Sequence, residues 1–155
     1  MSSAALLTQS LTLPSGGVVL RNRLALAPMA GMTDVPFRTL AWSFGAGHMV
    51  SEMITSKPEL WDTGKSRSRR VLIDSVTPQA VQIAGFDPEV MADSARRLVD
   101  DGVELIDINF GCPAKKVCHA FANCRTITRQ NGDAPLRLGC YQMSIACASD
   151  RKYRN

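Results

Sequence analysis

Short apolar runs alternate with amphipathic segments up to Asn109 of this 155-residue chain, and this alternation limits the fold more than any other feature. The apolar runs have the length of buried strands, and the segments between them begin at capping residues and end at glycine. Strands that alternate with helices predict βαβ units and a parallel sheet, hence the α/β class. The predicted strands are Leu24–Ala27, Met49–Met53, Ala80–Ala84 and Leu105–Asn109, and the predicted helices follow Asp34 and Asp87.

Two further segments complete the predicted layout. Leu11–Leu13 and Val18–Leu20 flank a Gly-Gly turn, which predicts a small hairpin before the first parallel strand. The segment from Thr55 to Arg70 is polar, and we expect it to be too highly charged for a core element.

The predicted strands end in polar, sulfur-containing or Gly/Pro residues. In a (β/α)₈ barrel, the active site is built at the carboxyl ends of the strands, so this pattern predicts one ring of site residues. No Gly-x-Gly-x-x-Gly follows the first strand, which disfavours a dinucleotide-binding Rossmann fold. The side chains expected to share one cleft are those of Pro28, Met53, Gln82 and Cys112.

Four motifs at these strand ends resemble the tRNA-dihydrouridine synthases, most of all the bacterial B type. They read APMAGMTD from Ala27, SEM from Ser51, VQIAG from Val81 and DINFGCPAKKV from Asp107. The resemblance runs from about Leu20 to Val117 and implies the N-terminal half of a (β/α)₈ TIM barrel. We therefore expect residues 1–117 to form a partial FMN-binding barrel domain and residues 118–155 to form an unmatched C-terminal tail.

The resemblance implies a flavin-dependent oxidoreductase that reduces the C5–C6 double bond of particular uridines in tRNA. It further implies that NADPH reduces FMN, that a hydride passes to C6 of the uracil, and that a cysteine protonates C5. The matching cysteine is Cys112, whose thiol Pro113 would hold in a stiff turn. A thiol of ordinary pKa is still protonated at neutral pH and can serve as this acid. Without its motif, Cys112 would be interpreted as a small buried hydrophobe.

The remaining site residues also come from the resemblance. It places Pro28, Met29 and Ala30 along the isoalloxazine ring, Gln82 at the polar edge of the ring, and Asn109 opposite the uracil. The residues alone leave other interpretations open, such as a strand end followed by a core thioether for Pro28 and Met29. Gln82 could equally satisfy a backbone group. A Gln between Val and Ile on a buried strand is costly without a partner, so a hydrogen-bond partner is expected in either case.

Within this charged segment, four cations fall within six residues, at Lys65, Arg67, Arg69 and Arg70. They predict either contacts with tRNA phosphates, through a sequence-independent electrostatic attraction, or an ordinary solvated loop. Both alternatives stay open. Glu52 is interpreted as a structural ion-pair partner and is left outside the site.

The composition changes abruptly after Val117. The whole net charge of +4 and four of the five cysteines lie in residues 118–155, which contain no Glu and no Val. We expect this tail to be an out-of-frame continuation of a truncated synthase, a prediction that resequencing beyond codon 117 would test. No metal site is predicted, because the pairs of cysteines in structural zinc sites have two intervening residues. The residues considered for zinc are Cys118, His119, Cys124, Cys140 and Cys147.

Two other functions remain as alternatives: another FMN-dependent barrel oxidoreductase, similar to a dihydroorotate dehydrogenase, and a non-catalytic half-barrel that binds RNA weakly. No apolar run approaches the roughly 18 residues of a membrane span. The N-terminal residues also lack the cations of a secretory signal. The sequence thus predicts a cytoplasmic protein with tRNA as its partner and no membrane association.

Overall fold

The computed structural model describes residues 3–13, 17–85 and 87–109, and the backbone of residues 142–146. The helices are α1 (Ser3–Leu7), α2 (Val35–Ser43), α3 (Gly64–Arg69) and α4 (Pro88–Asp100), with a 3₁₀ helix at Pro58–Leu60. The strands are β1 (Leu11–Thr12), β2 (Val19–Leu20), β3 (Ala25–Leu26), β4 (His48–Met49), β5 (Ile54–Thr55), β6 (Ala80–Ala84), β7 (Leu105–Asn109) and β8 (Gln142–Ala146).

The strands that precede residue 110 pair in chain order. β3 is parallel to β4, β5 is parallel to β6, and β6 is parallel to β7. β1 and β2 form the expected antiparallel hairpin, with Leu11 opposite Leu20. The parallel α/β arrangement is therefore present, as small sheets, and the described strands do not close into a barrel.

The predicted strand Met49–Met53 is wrong in its extent, because two short strands, β4 and β5, replace it. The first part of this segment pairs with β3 on one side, and the last part pairs with β6 on the other. Between them, the Ser51 N–H donates to the Ala80 carbonyl at 3.2 Å, and the Ser51 hydroxyl accepts the Gln82 N–H at 3.3 Å. The segment thus leaves one sheet and joins the next.

The segment from Thr55 to Arg70, for which no helix was predicted, contains the 3₁₀ helix and α3. Thr63 caps α3, and its hydroxyl accepts the Ser66 N–H at 3.3 Å. Just before it, the Trp61 side chain is buried in the core, with the Arg70 guanidinium 4.6 Å above its ring. One tryptophan therefore anchors a highly charged segment to the protein interior.

The helix predicted after Asp87 is confirmed as α4. The Asp87 carboxylate accepts the Glu89 and Val90 N–H groups, which satisfies donors at the helix N-terminus. Leu98 is fully buried in the core that α4 forms with β6 and β7, and Gly102, with a φ of +95°, ends the helix in the left-handed conformation that glycine adopts readily. Within the described ranges, no helix is long and apolar enough to cross a membrane.

β8 lies in the tail, where no strand was predicted. It pairs antiparallel with β7, so that Asn109 faces Gln142. The side-chain pattern does not predict such a strand well. The edge of β7 offers backbone N–H and C=O groups, which can pair with any extended segment whatever its side chains.

Candidate active site

A chain of hydrogen bonds joins polar side chains from the middle of β6 and β7 to Asn109 at the carboxyl end of β7. Gln82 Nε2 donates to the Asp107 carboxylate, and Asn109 Nδ2 donates to Gln82 Oε1 at 3.1 Å. Asn109 Nδ2 also lies 3.6 Å from Met53 Sδ. Gln82 is 3% exposed and Asp107 is 0% exposed. The expectation of a partner for Gln82 is confirmed, and its partners are side chains rather than backbone groups.

The sheet register explains why these side chains meet. Gln82 lies directly opposite Asp107 in the parallel pair of β6 and β7. Successive side chains of a strand point to opposite faces, so Gln82, Asp107 and Asn109 share one face. The other face carries Val81 and Ile106, which pack in the core that contains Leu98 of α4. The polar network therefore lies on the side of the sheet that faces away from α4.

Pro28, Met29 and Ala30 follow β3, and local hydrogen bonds hold them in a tight turn. The Met29 carbonyl accepts the N–H groups of Met32 and Thr33 at 3.1 and 3.0 Å, and the Thr33 hydroxyl accepts the Met29 N–H at 3.0 Å. Gly31, with a φ of +77°, supplies the left-handed residue of this turn. These bonds stay within the turn, whereas Asn109 contacts both Met53 and Gln82. The turn follows β3, which pairs with β4 rather than with β6 or β7.

Cys112 lies outside the described residues, so its place in the predicted cleft stays a prediction. The same holds for the five residues considered for zinc. Within the described ranges, no three His, Cys, Asp or Glu side chains cluster as metal ligands would.

An ion pair supports the strand end that carries Met53. Arg69 of α3 pairs with the Glu52 carboxylate, and its Nη1 donates to the Met53 carbonyl at 2.9 Å. The side chains of Arg69 and Glu52 are only 18% and 10% exposed. Glu52 is thus an ion-pair partner, as expected, and Arg69 is a structural residue that ties α3 to the site.

Arg70 is structural as well. Its guanidinium lies over the Trp61 ring, and it pairs with Asp62 at 3.6 Å and with Asp101 at 3.5 Å. Two of the four cations, Arg69 and Arg70, are therefore committed to contacts within the protein. Lys65 and Arg67 are exposed.

We expect Arg69→Met to lower the free energy of unfolding by about 3 kcal/mol, because it leaves the Glu52 carboxylate without its partner in a mostly buried position. Urea unfolding followed by tryptophan fluorescence would measure this loss. Arg96→Met is the matched control, since the Arg96–Asp93 pair is 72% and 70% exposed and should contribute little. Equal losses in the two variants would contradict a structural role for the Glu52–Arg69 pair.

A cavity of about 750 Å³ adjoins the network. Its walls come from the segment between β5 and α3, from the end of β6, and from the start of α4. Met53 lines this cavity and also contacts Asn109. Lys57, Lys65 and Arg69 contribute the cations of its lining. Met53 therefore lies between the cavity and the amide network and contacts both.

Two residues of this region were not assigned to the site from sequence. Asp107 has a recognisable signal, since a carboxylate in the middle of a buried strand needs a partner. His48 is buried, and its Nδ1 has no hydrogen-bond partner in the described part of the chain. Burial lowers the pKa of His48, and the opposing effect of the Asp107 carboxylate is smaller. Burial thus favours the neutral form of His48, which is expected of a histidine that packs in the protein interior.

Comparison with known proteins identifies the relatives of this chain. Residues 25–127 match the family model described as dihydrouridine synthase. The chain is 59% identical over 102 residues to tRNA-dihydrouridine synthase B of Escherichia coli K12, covering 66% of this chain and 32% of the relative. It is 54% identical over 107 residues to the protein of the same name from Pseudomonas aeruginosa, covering 69% and 32%. The chain thus spans about a third of the length of these curated relatives.

Proposed function

This chain belongs to the dihydrouridine synthase family, and we propose that it carries the N-terminal part of a flavin-dependent tRNA-dihydrouridine synthase. The reaction is reduction of the C5–C6 double bond of uridine in tRNA, with NADPH as reductant and FMN as cofactor. The parallel strands β3 to β7 would then belong to the first strands of a (β/α)₈ barrel. The observation that carries the proposal is the hydrogen-bonded network of Gln82, Asp107 and Asn109 on one face of β6 and β7, within the matched range.

The chemistry of the described residues fits the ring of FMN. The isoalloxazine ring has a polar edge of N–H and C=O groups, and the amides of Gln82 and Asn109 offer both donors and acceptors. Pro28, Met29 and Met53 offer apolar and thioether surface for a flat ring. Bound FMN would supply the hydride. Gln82 would hold the edge of the ring, and Pro28, Met29 and Ala30 would lie along it.

The protein must also hold the uracil and deliver a proton. An amide can pair with the O–C–N–H edge of uracil, which is the role we assign to Asn109. Addition of a hydride at C6 leaves an enolate-like anion that takes a proton at C5. We assign this proton to the Cys112 thiol, which becomes a thiolate and regains its proton from solvent.

Contact with tRNA is proposed for Lys65 and Arg67, because both are exposed on α3 whereas Arg69 and Arg70 are committed to ion pairs. Lys65 also lines the cavity. Cations on a surface attract phosphates regardless of base sequence. Replacing both Lys65 and Arg67 by glutamine should reduce the magnitude of the slope of log tRNA affinity against log salt concentration by about one to two. An unchanged slope in filter-binding assays would contradict this contact.

A dihydroorotate dehydrogenase-like reductase has less support than the proposed function. Both relatives carry the name tRNA-dihydrouridine synthase B, and the matched range contains every site residue named from sequence. We therefore propose a uridine in tRNA as the substrate, in preference to a free pyrimidine acid.

A composite enzyme tests the proposal, made by exchanging the matched segment of the Escherichia coli synthase for residues 25–127 of this chain. We expect it to purify with FMN and to form dihydrouridine in tRNA with NADPH, as measured by mass spectrometry of nucleosides. Gln82→Leu in the composite should weaken FMN retention, because a buried hydrogen-bonding amide is lost. A folded composite that retains FMN but forms no dihydrouridine would contradict the proposed function.

A further inference from the structure

We propose that Asp107 is a positioning residue that fixes the direction of the Gln82 and Asn109 amides. Its catalytic consequence rests on the proposed function, but the orientation itself does not. The inference starts from three contacts: Gln82 with Asp107, Asn109 with Gln82, and Asn109 with Met53.

A carboxylate gives this network its direction. An amide can be turned by 180° to exchange its oxygen and its NH₂ group, whereas an ionised carboxylate only accepts hydrogen bonds. Gln82 must therefore turn Nε2 toward Asp107, which turns Oε1 toward Asn109. Asn109 must in turn present Nδ2 to that oxygen. One acceptor thus orients two amides in sequence.

Burial makes the reversed orientation costly. Asp107 is 0% exposed and Gln82 is 3% exposed, so water cannot easily satisfy a misdirected group. The backbone is fixed too, because Gln82 and Asp107 lie opposite each other in the sheet and the Ser51 hydroxyl accepts the Gln82 N–H. A flipped Gln82 would place its oxygen against the carboxylate, with two acceptors in contact.

Amides whose direction is fixed can select one hydrogen-bond pattern in a ligand. An amide that turns freely can pair with a donor or with an acceptor, so it does not distinguish between them. An amide whose direction is set presents one defined pattern to a ring edge, and a site that is built for one pattern rejects the other. Asp107 would therefore determine which hydrogen-bond pattern the strand ends offer, without touching the ligand.

The orientation can be tested in the 155-residue chain without any ligand, by NMR of side-chain amides labelled with ¹⁵N. In the unmodified chain, we expect nuclear Overhauser contacts between the Gln82 Nε2 protons and Asp107. Asp107→Asn replaces the pure acceptor by a group that satisfies either orientation, and it should shift or double the Gln82 and Asn109 signals. If the Gln82 Nε2 protons of the unmodified chain instead give Overhauser contacts to Asn109 and none to Asp107, then Oε1 faces Asp107 and the proposal is overturned.

Gln79 and Glu104 provide matched controls. Gln79 Nε2 donates to the Ile73 and Val76 carbonyls, so its signals should not change in Asp107→Asn. Glu104→Gln makes the same chemical change at a carboxylate that accepts the Gln79 N–H, and it should leave Gln82 unaffected. Equal disturbance of Gln79 and Gln82 in Asp107→Asn would indicate a merely structural role and overturn the proposal.

A double exchange separates positioning from loss of fold. Gln82→Glu combined with Asp107→Asn swaps the carboxylate and the amide, and the carboxylate now on β6 can still accept from Asn109. The Asn109 signal should then return to a single state. In the composite enzyme, Asp107→Asn should lower kcat for uridine reduction by up to about 100-fold, with a smaller effect on KM. An unchanged kcat with intact flavin binding would overturn the catalytic consequence, whereas an inactive parent composite would count against the proposed function alone.

Discussion

Cys112→Ala in the composite enzyme is expected to slow uridine reduction by about 100-fold or more while NADPH-dependent reduction of the flavin continues at its normal rate. The reason is the order of events at the uracil. A proton is needed at C5 only once a hydride has reached C6, so loss of the acid affects the second half-reaction alone. Stopped-flow absorbance of the flavin would measure each half-reaction separately.

Cys118→Ala is the matched control, because Cys118 is the next cysteine in the chain and lies within the same matched range. It should leave both half-reactions unchanged. Equal loss of both half-reactions in Cys112→Ala would assign Cys112 to flavin binding or to structure, and the proton would then need another source.

The sequence predicted best the elements whose neighbours lie close in the chain. Ala80–Ala84 is a strand with the predicted bounds, because all five residues are buried and a short, mostly apolar run of this length is typical of a buried strand. The helix after Asp87 begins where its capping carboxylate predicts. Such signals are local, so no knowledge of the tertiary structure is needed to interpret them.

Predictions were wrong where partners come from distant parts of the chain. The strand predicted at Met49–Met53 is divided because its two ends pair with different strands. Arg69 differs from Lys65 only because Glu52 lies beside it, and nothing near Arg69 in sequence shows this. A hydrogen-bond partner was expected for Gln82, but only the register of β6 and β7 shows that this partner is Asp107.

The 155-residue chain on its own is expected to retain FMN poorly and to form negligible dihydrouridine, in contrast to the composite enzyme. It spans about a third of the length of its relatives, and the described residues that fit FMN concern the ring alone. The phosphate of FMN needs cations or helix N-termini to offset its desolvation. The N-termini of α2 and α4 are already occupied by the Asp34 and Asp87 carboxylates, which accept their backbone N–H groups.

Fluorescence titration of FMN with the 155-residue chain, and with the composite as the matched control, would measure this difference. We expect an affinity at least about 100-fold weaker for the chain alone, because one charged hydrogen-bonded group contributes roughly 1.5–3 kcal/mol and the phosphate normally has several. Arg69 pairs with Glu52, whereas Lys57 and Lys65 are exposed cations that line the cavity beside Met53 and could bind the phosphate instead. A stoichiometric FMN complex of the chain alone that reduces tRNA uridines with NADPH would overturn this expectation. It would also exclude the non-catalytic half-barrel, because the groups that hold the phosphate would then have to lie within these 155 residues.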